Sequence, residues 1–305
     1  MDEPSGQLGD QDLSAKCPVA LLNVFTFEGK GGNPCPIVVD AGRLAPADMQ
    51  DIARRFGVEA GFVLPGESGD YDFTFRFWVP RHEMEMCGHA TIGALWQLAE
   101  EGRLPADLVR IGTRSGPVTG FIGYTDHGER LVEITQPAGR VAPLTPEQER
   151  AVLTVLGLER DDLLDLPLQN AVTSRVKTLV PIREVERLQA LRADMPAIEA
   201  LCRRIGSTGL YPYAVLDQSA RTFEARQFPR SSGYPEDAAT GIAASALAFG
   251  LLRNGLIGAN DRTIHVFQGR AMGRLSEIRV RLGWVDRRAI GCLLSGTVTP
   301  AEPAD

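Results

Sequence analysis

Alternating runs of apolar and polar residues recur along most of the chain and predict strands. They are rich in β-branched and aromatic residues and are separated by Gly, Pro and Asn, which is typical of an antiparallel or mixed sheet. The runs cover residues 19–27, 34–40, 60–66, 71–79, 131–137, 213–217, 263–269, 277–283 and 289–298. Two segments, 90–102 and 239–255, are apolar nearly all round and end at a glycine, which predicts two buried helices. The pattern predicts an α/β (α+β) fold in which each of two sheets wraps around one central helix.

The two predicted helices and the strands before them resemble each other. Pro80-Arg81 recurs as Pro229-Arg230, and Ala90-Thr91 recurs as Ala239-Thr240, at an offset of 149 residues in both cases (229 − 80 and 239 − 90). This offset is close to half of the 305 residues and predicts a duplicated domain with pseudo-twofold symmetry.

The boundary between the halves is expected in the Pro- and Gly-rich stretch 137–146. A helix is predicted after it, with Thr145 as N-cap and Pro146 in its first turn. The predicted organisation is a flexible tail at 1–17, an N-terminal domain at 18–137 and a C-terminal domain at 138–287. Whether the last strand, near 288–300, rejoins the first domain is left open.

Composition narrows the class of protein. The formal net charge is −7, which argues against nucleic-acid binding, and no apolar run approaches the roughly 20 residues that span a bilayer. The N-terminus is polar and acidic, unlike a signal peptide. The five cysteines are scattered and form no CxxC pair. We expect a cytoplasmic protein that binds neither nucleic acid nor membrane.

The starts of the two helices are the first candidate site. The sequences Cys87-Gly88-His89 and Asp237-Ala238-Ala239-Thr240-Gly241 place glycines where helix N–H groups have no backbone acceptor. Such ends favour carboxylates, so two of them facing each other across a cleft would bind a small carboxylic acid. The alternative is two capped, buried helices without a ligand.

Other candidates are weaker. Glu59 has apolar neighbours, and burial disfavours the charged form of a carboxyl group, which suits a general acid or base; an exposed turn is the alternative. Gly31–Pro34 (GGNP) reads as a turn. The run His82–His89 contains metal-ligating side chains, but no second cluster accompanies it. We expect no metal, and no glycine-rich loop indicates a nucleotide cofactor.

Several segments together resemble the PhzF-like isomerase family of the phenazine biosynthesis type. They are VFTFEGKGGNPCPIVV (24–39), VEAGFV (58–63), FRFWVPRHEMEMCGHATIGA (75–94), RQFPRSSGYPEDAATGIAASA (226–246) and VFQGRAMGRLSEIRV (266–280). The resemblance implies a diaminopimelate epimerase-like fold of two pseudo-symmetric domains, with the site in the cleft. It also implies a homodimer without cofactor or metal.

The resemblance assigns roles to individual residues. It implies Glu59 as the acid/base, with His89 and Asp237 at the site. The substrate carboxylate would be held by the backbone N–H groups of Gly88, His89, Thr240 and Gly241. The implied reaction is a double-bond shift by proton transfer in a small unsaturated amino or imino acid, in specialised-metabolite or antibiotic biosynthesis.

Departures from the family pattern bear on the substrate and reaction. Val58 and Ile242 stand where relatives often carry hydroxyl residues, which favours a less polar substrate than a hydroxylated cyclohexadiene carboxylate. An alkyl-pyrroline or alkylproline precursor is one candidate. Cys87 occupies one base position of the racemases, but its partner position holds Thr240, which disfavours two-base epimerisation. An epimerase that uses Cys87 and a catalytically silent binding protein remain alternatives.

Overall fold

The computed structural model describes residues 17–67, 69–125, 127–260 and 262–301. Its strands are β1 Ala20–Phe27, β2 Lys30–Val38, β3 Ala60–Pro65, β4 Phe73–Trp78, β5 Glu83–Met84, β6 Leu108–Thr113, β7 Gly116–Tyr124, β8 Arg130–Pro137, β9 Arg140–Pro143, β10 Gln169–Val172, β11 Val176–Ile182, β12 Gly209–Asp217, β13 Thr222–Ala225, β14 Phe228–Pro229, β15 Ile264–Gln268, β16 Ser276–Val285 and β17 Arg288–Pro300. Its α-helices are α1 Pro46–Phe56, α2 Gly88–Glu100, α3 Pro146–Leu156, α4 Val185–Ala190, α5 Met195–Ile205 and α6 Gly241–Arg253.

The first half closes into a barrel around α2. The order of paired strands is β1-β2-β3-β4-β6-β7-β8-β17, and β17 returns to pair with β1. The pairs β2–β3 and β4–β6 are parallel, and the others are antiparallel. Helix α2 contacts β1, β2, β3, β7, β8 and β17 and is buried along most of its length, because its sequence is apolar on nearly every face.

The second half repeats this plan. The strand order is β9-β10-β11-β12-β13-β15-β16-β17, with parallel pairs at β11–β12 and β13–β15. In each half the central helix connects the second parallel pair, and α6 contacts β9, β10, β11, β16 and β17. The predicted fold class is therefore confirmed. Strand β17 pairs with strands of both halves, and the domain limits 18–137 and 138–287 stay a prediction.

The repeat is offset differently in its strands and in its helices. Strands β3 and β12 begin 149 residues apart (209 − 60), as predicted, but α2 and α6 begin 153 apart (241 − 88). Matching Thr91 with Thr240 was therefore wrong inside the helices. The error is close to one turn of 3.6 residues, so the same helix face recurs and the small apolar residues still align. The second half has four extra residues between its Pro-Arg pair and its helix.

The helix ends follow their local sequences. Gly102 and Gly255 adopt φ values of 63° and 71° just after α2 and α6, as their C-cap prediction required. Thr145 caps α3 by accepting a hydrogen bond from the N–H of Gln148, with Pro146 in the first turn, which confirms that prediction. The stretch predicted as a boundary loop contains the short strand β9, which pairs with β10.

The tail predicted at 1–17 lies outside the described residues apart from Cys17, which is buried and donates to the carbonyl oxygen of Asp40 at 3.2 Å. All five cysteines are buried and free. In the part of the chain that the structure describes, no helix is long and apolar enough to cross a membrane.

Candidate functional site

A cavity of about 320 Å³ lies where the two central helices begin. The two helix starts face each other closely: a Cβ atom added to Gly88 would lie 3.8 Å from Cγ2 of Ile242. Gly88 and Gly241 also leave room for Leu294 of β17, since Cβ atoms there would lie 3.0 and 2.5 Å from its Cδ2. The duplication therefore produces one shared cavity between the halves.

The cavity gathers nearly all the residues that the sequence nominated. Eight of them line it: Glu59, Cys87, Gly88, His89, Asp237, Thr240, Gly241 and Ile242. Val58 is partly buried but is not among the residues that line the cavity. One of the two predicted alkyl replacements is thus outside the cavity wall.

Glu59 directly precedes β3 and is 8% exposed. The hydroxyl of Tyr234 donates to its Oε1 at 2.5 Å. Burial and the nearby Glu59 charge raise the pKa of Tyr234 well above its ordinary value, so this hydroxyl stays a proton donor. Among the described residues, no cation forms a salt bridge with Glu59. Its carboxylate is therefore oriented by a neutral donor and is not neutralised by an ion pair.

Asp237 is held by a set of short hydrogen bonds. Its Oδ1 accepts from Nδ2 of Asn33 at 2.6 Å, and its Oδ2 accepts from the hydroxyl of Thr240 at 2.5 Å. The amide of Gln268 donates to the backbone oxygen of Asp237 at 2.6 Å. Burial, and then the charge of Glu59, raise the pKa of Asp237, while the hydrogen bonds from Thr240 and Asn33 to its carboxylate act against that shift. Asp237 can thus retain a proton at a pH where an exposed aspartate has lost it.

The helix starts offer unpaired donors to a ligand. Within the described residues, the backbone N–H groups of Gly88, His89, Gly241 and Ile242 have no hydrogen-bond acceptor. The N–H of Thr240, which was expected to hold the substrate carboxylate, instead faces Oε1 of Gln268 at 3.3 Å. Two pairs of unpaired N–H groups thus lie at the positive ends of two helices, an arrangement that favours an anion, and Ile242 contributes one of them where Thr240 was expected to.

Cys87 and His89 contact each other at the start of α2. The Sγ of Cys87 lies 3.4 Å from Nδ1 of His89. Burial, with the charge of Glu59, raises the pKa of the Cys87 thiol, and burial lowers the pKa of His89. Both groups are therefore neutral near pH 7. His89 can donate or accept a hydrogen bond without bringing a positive charge, and Cys87 lacks the thiolate that a base requires.

Comparisons with known proteins identify the family. A family model described as phenazine biosynthesis-like protein, PhzC-PhzF, matches residues 22–302. The chain belongs to this family. The uncharacterized isomerase YddE of Escherichia coli K12 is 30% identical over 280 residues, covering 90% of this chain and 93% of its own. The trans-2,3-dihydro-3-hydroxyanthranilate isomerase of Pseudomonas fluorescens is 27% identical over 266 residues, covering 84% and 87%.

The fold agrees with a solved family member. The crystal structure of the PhzF-family phenazine biosynthesis protein of Bacillus anthracis superposes with a TM-score of 0.84 at 25% identity, covering 93% of this chain and 96% of its own. The family assignment made from the sequence is confirmed, and the chain is a PhzF-family isomerase.

The metal-ligating side chains of the run His82–His89 do not converge in this PhzF-family chain. Across the described residues, no group of three or more His, Cys, Asp or Glu side chains is placed to hold a metal ion. Glu83 instead accepts two hydrogen bonds from Arg76, at 2.7 and 2.9 Å. Glu83, on β5, thus serves as the ion-pair partner of Arg76 on β4.

Sequence reasoning missed several residues at or beside the cavity, Arg175 and the following five among them. Asn33 belongs to the motif that was read as a turn, although it lies in β2 and orients Asp237. Tyr234 lies between Pro229-Arg230 and α6, where the second half has four extra residues. The first half of this PhzF-family chain therefore has no equivalent of it. Lys177, Gln227 and Gln268 showed no distinctive local pattern. The two positive-φ glycines of GGNP were the one signal that could have pointed to a special backbone at Asn33.

Proposed function

We propose that this protein is a cofactor-independent isomerase that shifts a double bond in a small unsaturated carboxylic acid by proton transfer at Glu59. One observation carries the proposal: the Glu59 carboxylate, without a salt bridge in the described structure, shares a small cavity with two opposed helix N-termini. A carboxylate can take up a proton, and the free N–H groups can hold the acid group of a substrate.

The proposed step needs a single acid/base group. Glu59 removes a proton from a substrate carbon, the C–H electrons form a new C=C bond, and the electrons of the old double bond take the proton back from Glu59 at its far end. Atoms and electrons balance without a redox partner. The hydrogen bond from Tyr234 holds the carboxylate in one orientation for both transfers, and the helix N-termini stabilise the negative charge that spreads towards the substrate carboxylate.

Asp237 and His89 are proposed to contact the amino or imino group of the substrate. Both line the cavity and are buried, and Asp237 is fixed by Asn33 and Thr240. The apolar substitution at Ile242 supports an alkyl group near this wall, so an alkyl-pyrroline carboxylate of a specialised pathway stays a candidate. The hydroxylated substrate in the name of the Pseudomonas fluorescens relative is expected to react poorly, if at all.

The proposed setting is a homodimer in the cytoplasm. Five free, buried cysteines support a reducing compartment, because such a compartment leaves thiols unpaired. Light scattering coupled to size exclusion tests the dimer directly.

The decisive experiment replaces Glu59 by Gln. Unsaturated cyclic amino and imino acids, including trans-2,3-dihydro-3-hydroxyanthranilate and an alkyl-pyrroline carboxylate, are incubated with the wild type in deuterated water. A turned-over substrate is then compared in E59Q and in E147Q, which changes an exposed glutamate on α3. E59Q is expected to keep its melting temperature and lose at least about 10²-fold in turnover, since general acid–base catalysis contributes roughly 10²–10⁴. Undiminished turnover in E59Q would refute the proposal.

The two alternatives make different predictions for the same measurements. An epimerase that uses Cys87 loses activity in C87A, whereas the isomerase proposed here keeps it within a few-fold. A silent binding protein shows no turnover or solvent deuterium exchange in the wild type with any member of the panel. The raised pKa of Cys87 argues against the first of these.

A further inference from the structure

Lys177 is a buried cation that the proposed reaction does not use. It lies on β11, is 5% exposed and lines the cavity. Among the described residues it has no salt bridge within 4.0 Å and no side-chain hydrogen bond. The chain has only three lysines among 32 basic residues, and this one stands inside the cavity. An ammonium group without a partner is costly to bury, so a buried lysine at this position suggests a role in binding.

The neighbouring side chains add to the positive charge. Arg175 lies in the bend just before β11, two residues from Lys177, and it also lines the cavity. Within the described structure Arg175 has no ion pair, and the guanidinium of Arg230 donates only to the carbonyl oxygen of Ser207, at 3.3 Å. Three cationic side chains of the second half thus face this cavity without a carboxylate partner.

Gln227 supplies an independent observation. It is 1% exposed and lines the cavity, and both Nε2 and Oε1 of its amide lack a hydrogen-bond partner. A Cβ atom at Gly209 would collide with this amide, so the glycine is what admits it. Gly209 begins β12, whose Leu210 pairs with Thr178 next to Lys177, so the Gln227 amide packs against the strand beside the one that carries Lys177. A buried amide whose donor and acceptor are both unpaired can form hydrogen bonds with a ligand in the cavity.

We propose that Lys177, Arg175 and Gln227 form a subsite for a second carboxylate of the substrate. This inference rests on the proposed function. It narrows the substrate class to small unsaturated dicarboxylic amino or imino acids, in place of the alkyl-pyrroline monocarboxylate named there. The first carboxylate is held by the N–H groups at the starts of α2 and α6, and the second by the two cations and the Gln227 amide. The double bond then lies between the two anchors, within reach of Glu59.

The charges in the cavity agree with this arrangement. Burial and the neighbouring Arg175 lower the pKa of Lys177 to about 8, so most of it is protonated at pH 7. Asp237 and Glu59 lie near enough to influence that pKa but do not pair with the ammonium. A cavity of about 320 Å³ has room for on the order of ten water-sized groups, which fits a small diacid.

The test compares two five-carbon acids, glutarate with two carboxylates and valerate with one, by isothermal titration calorimetry. The wild type is expected to bind glutarate at least tenfold more tightly than valerate. K177M is expected to weaken glutarate binding at least tenfold and valerate binding less than twofold. K177R should keep part of the preference, and Q227E, which places a negative charge in the subsite, should abolish it.

K30M is the matched control, because Lys30 is exposed and away from the cavity, and it should bind both acids like the wild type. Melting curves establish that K177M and Q227E are folded. Equal affinity of the wild type for the two acids, or an unchanged preference in K177M, would overturn the subsite. Loss of turnover in E59Q with no dicarboxylate preference would refute the subsite alone. A clear preference with undiminished turnover in E59Q would refute the proposed mechanism alone.

Discussion

Arg226 holds the segment that carries much of the candidate site, and its removal is our first prediction. Its side chain pairs with Glu236 through hydrogen bonds of 2.8 and 2.7 Å. Its Nη1 donates to the carbonyl oxygens of Leu188, Gln189 and Leu191 at 3.1, 3.0 and 2.9 Å. The Arg226 and Glu236 side chains are only 6% and 10% exposed, so this ion pair is shielded from water. The guanidinium thereby ties the segment 226–237 to the end of α4.

The expected loss follows from what remains after Arg226→Met. Removing one partner of a buried ion pair costs about 3–5 kcal/mol, because the other charge is left without compensation. Three carbonyl oxygens also lose their donor, which places the effect near the upper end of that range. For a chain of 305 residues, such a loss lowers the melting temperature by roughly 5–8 °C. The double variant R226M/E236L removes both charges and should recover more than half of the loss.

The assay is thermal unfolding by calorimetry together with urea unfolding, for the wild type, R226M, E236L and the double variant. Glutarate and valerate binding is measured on the same proteins, because Gln227, Tyr234 and Asp237 all lie in the tethered segment. A loss below about 1 kcal/mol in R226M would show that the ion pair contributes as little as an exposed one. A double variant no more stable than R226M would show that the orphaned charge is not the cause.

Two further predictions concern the site itself. Tyr234→Phe removes the hydrogen bond to Glu59, and a hydrogen bond to a charged group contributes about 1.5–3 kcal/mol. The variant's kcat should therefore fall roughly 10- to 100-fold with little change in KM. An unchanged kcat would show that Tyr234 has no role in the mechanism. Asp237→Asn tests the raised pKa of Asp237, since the folded protein keeps a proton that an unfolded aspartate loses near pH 4. The stability of the wild type should therefore fall as the pH rises above that value. Melting curves from pH 4 to 8 should show no such pH-dependent fall in D237N.

The sequence was most informative where the local pattern has a physical cause in the chain itself. The α2 and α6 segments are apolar on nearly every face, so they had to be buried, and their end glycines defined where they stop. The glycines and small residues at the helix starts predicted an anion site from the sequence alone. Glu59 could be nominated because burying a charged carboxylate among apolar neighbours costs free energy, which is unusual without a functional role.

The strands that the pattern missed show where such reasoning ends. Strands β6, β7, β10 and β11 were not predicted, and in β7 the glycines weaken the local strand signal. Gly120 is required by tertiary packing: a Cβ atom there would lie 2.5 Å from Cδ1 of Leu95 on α2. The roles of Asn33 and Gln227 were invisible for the same reason, since their partners or cavity neighbours come from distant parts of the chain.

The duplication also argues for chemistry on one face of the substrate. Strands β3 and β12 hold equivalent places, each parallel to the strand before it and antiparallel to the strand after it, and both are preceded by a cavity-lining residue. In the first half that residue is Glu59, and in the second it is Thr208, whose hydroxyl donates to the carbonyl oxygen of Val176 at 2.8 Å.

The two halves also differ at the N-cap positions of α2 and α6, which are Cys87 and Thr240. Burial keeps the Cys87 thiol protonated, and the Thr240 hydroxyl is committed to Asp237. Two equivalent bases on opposite faces, which racemisation requires, are therefore absent from both pairs of equivalent positions in the described fold. A single acid/base group, such as Glu59, can remove a proton and return it to the same face. The transposition proposed at Glu59 is the reaction that such a site can perform.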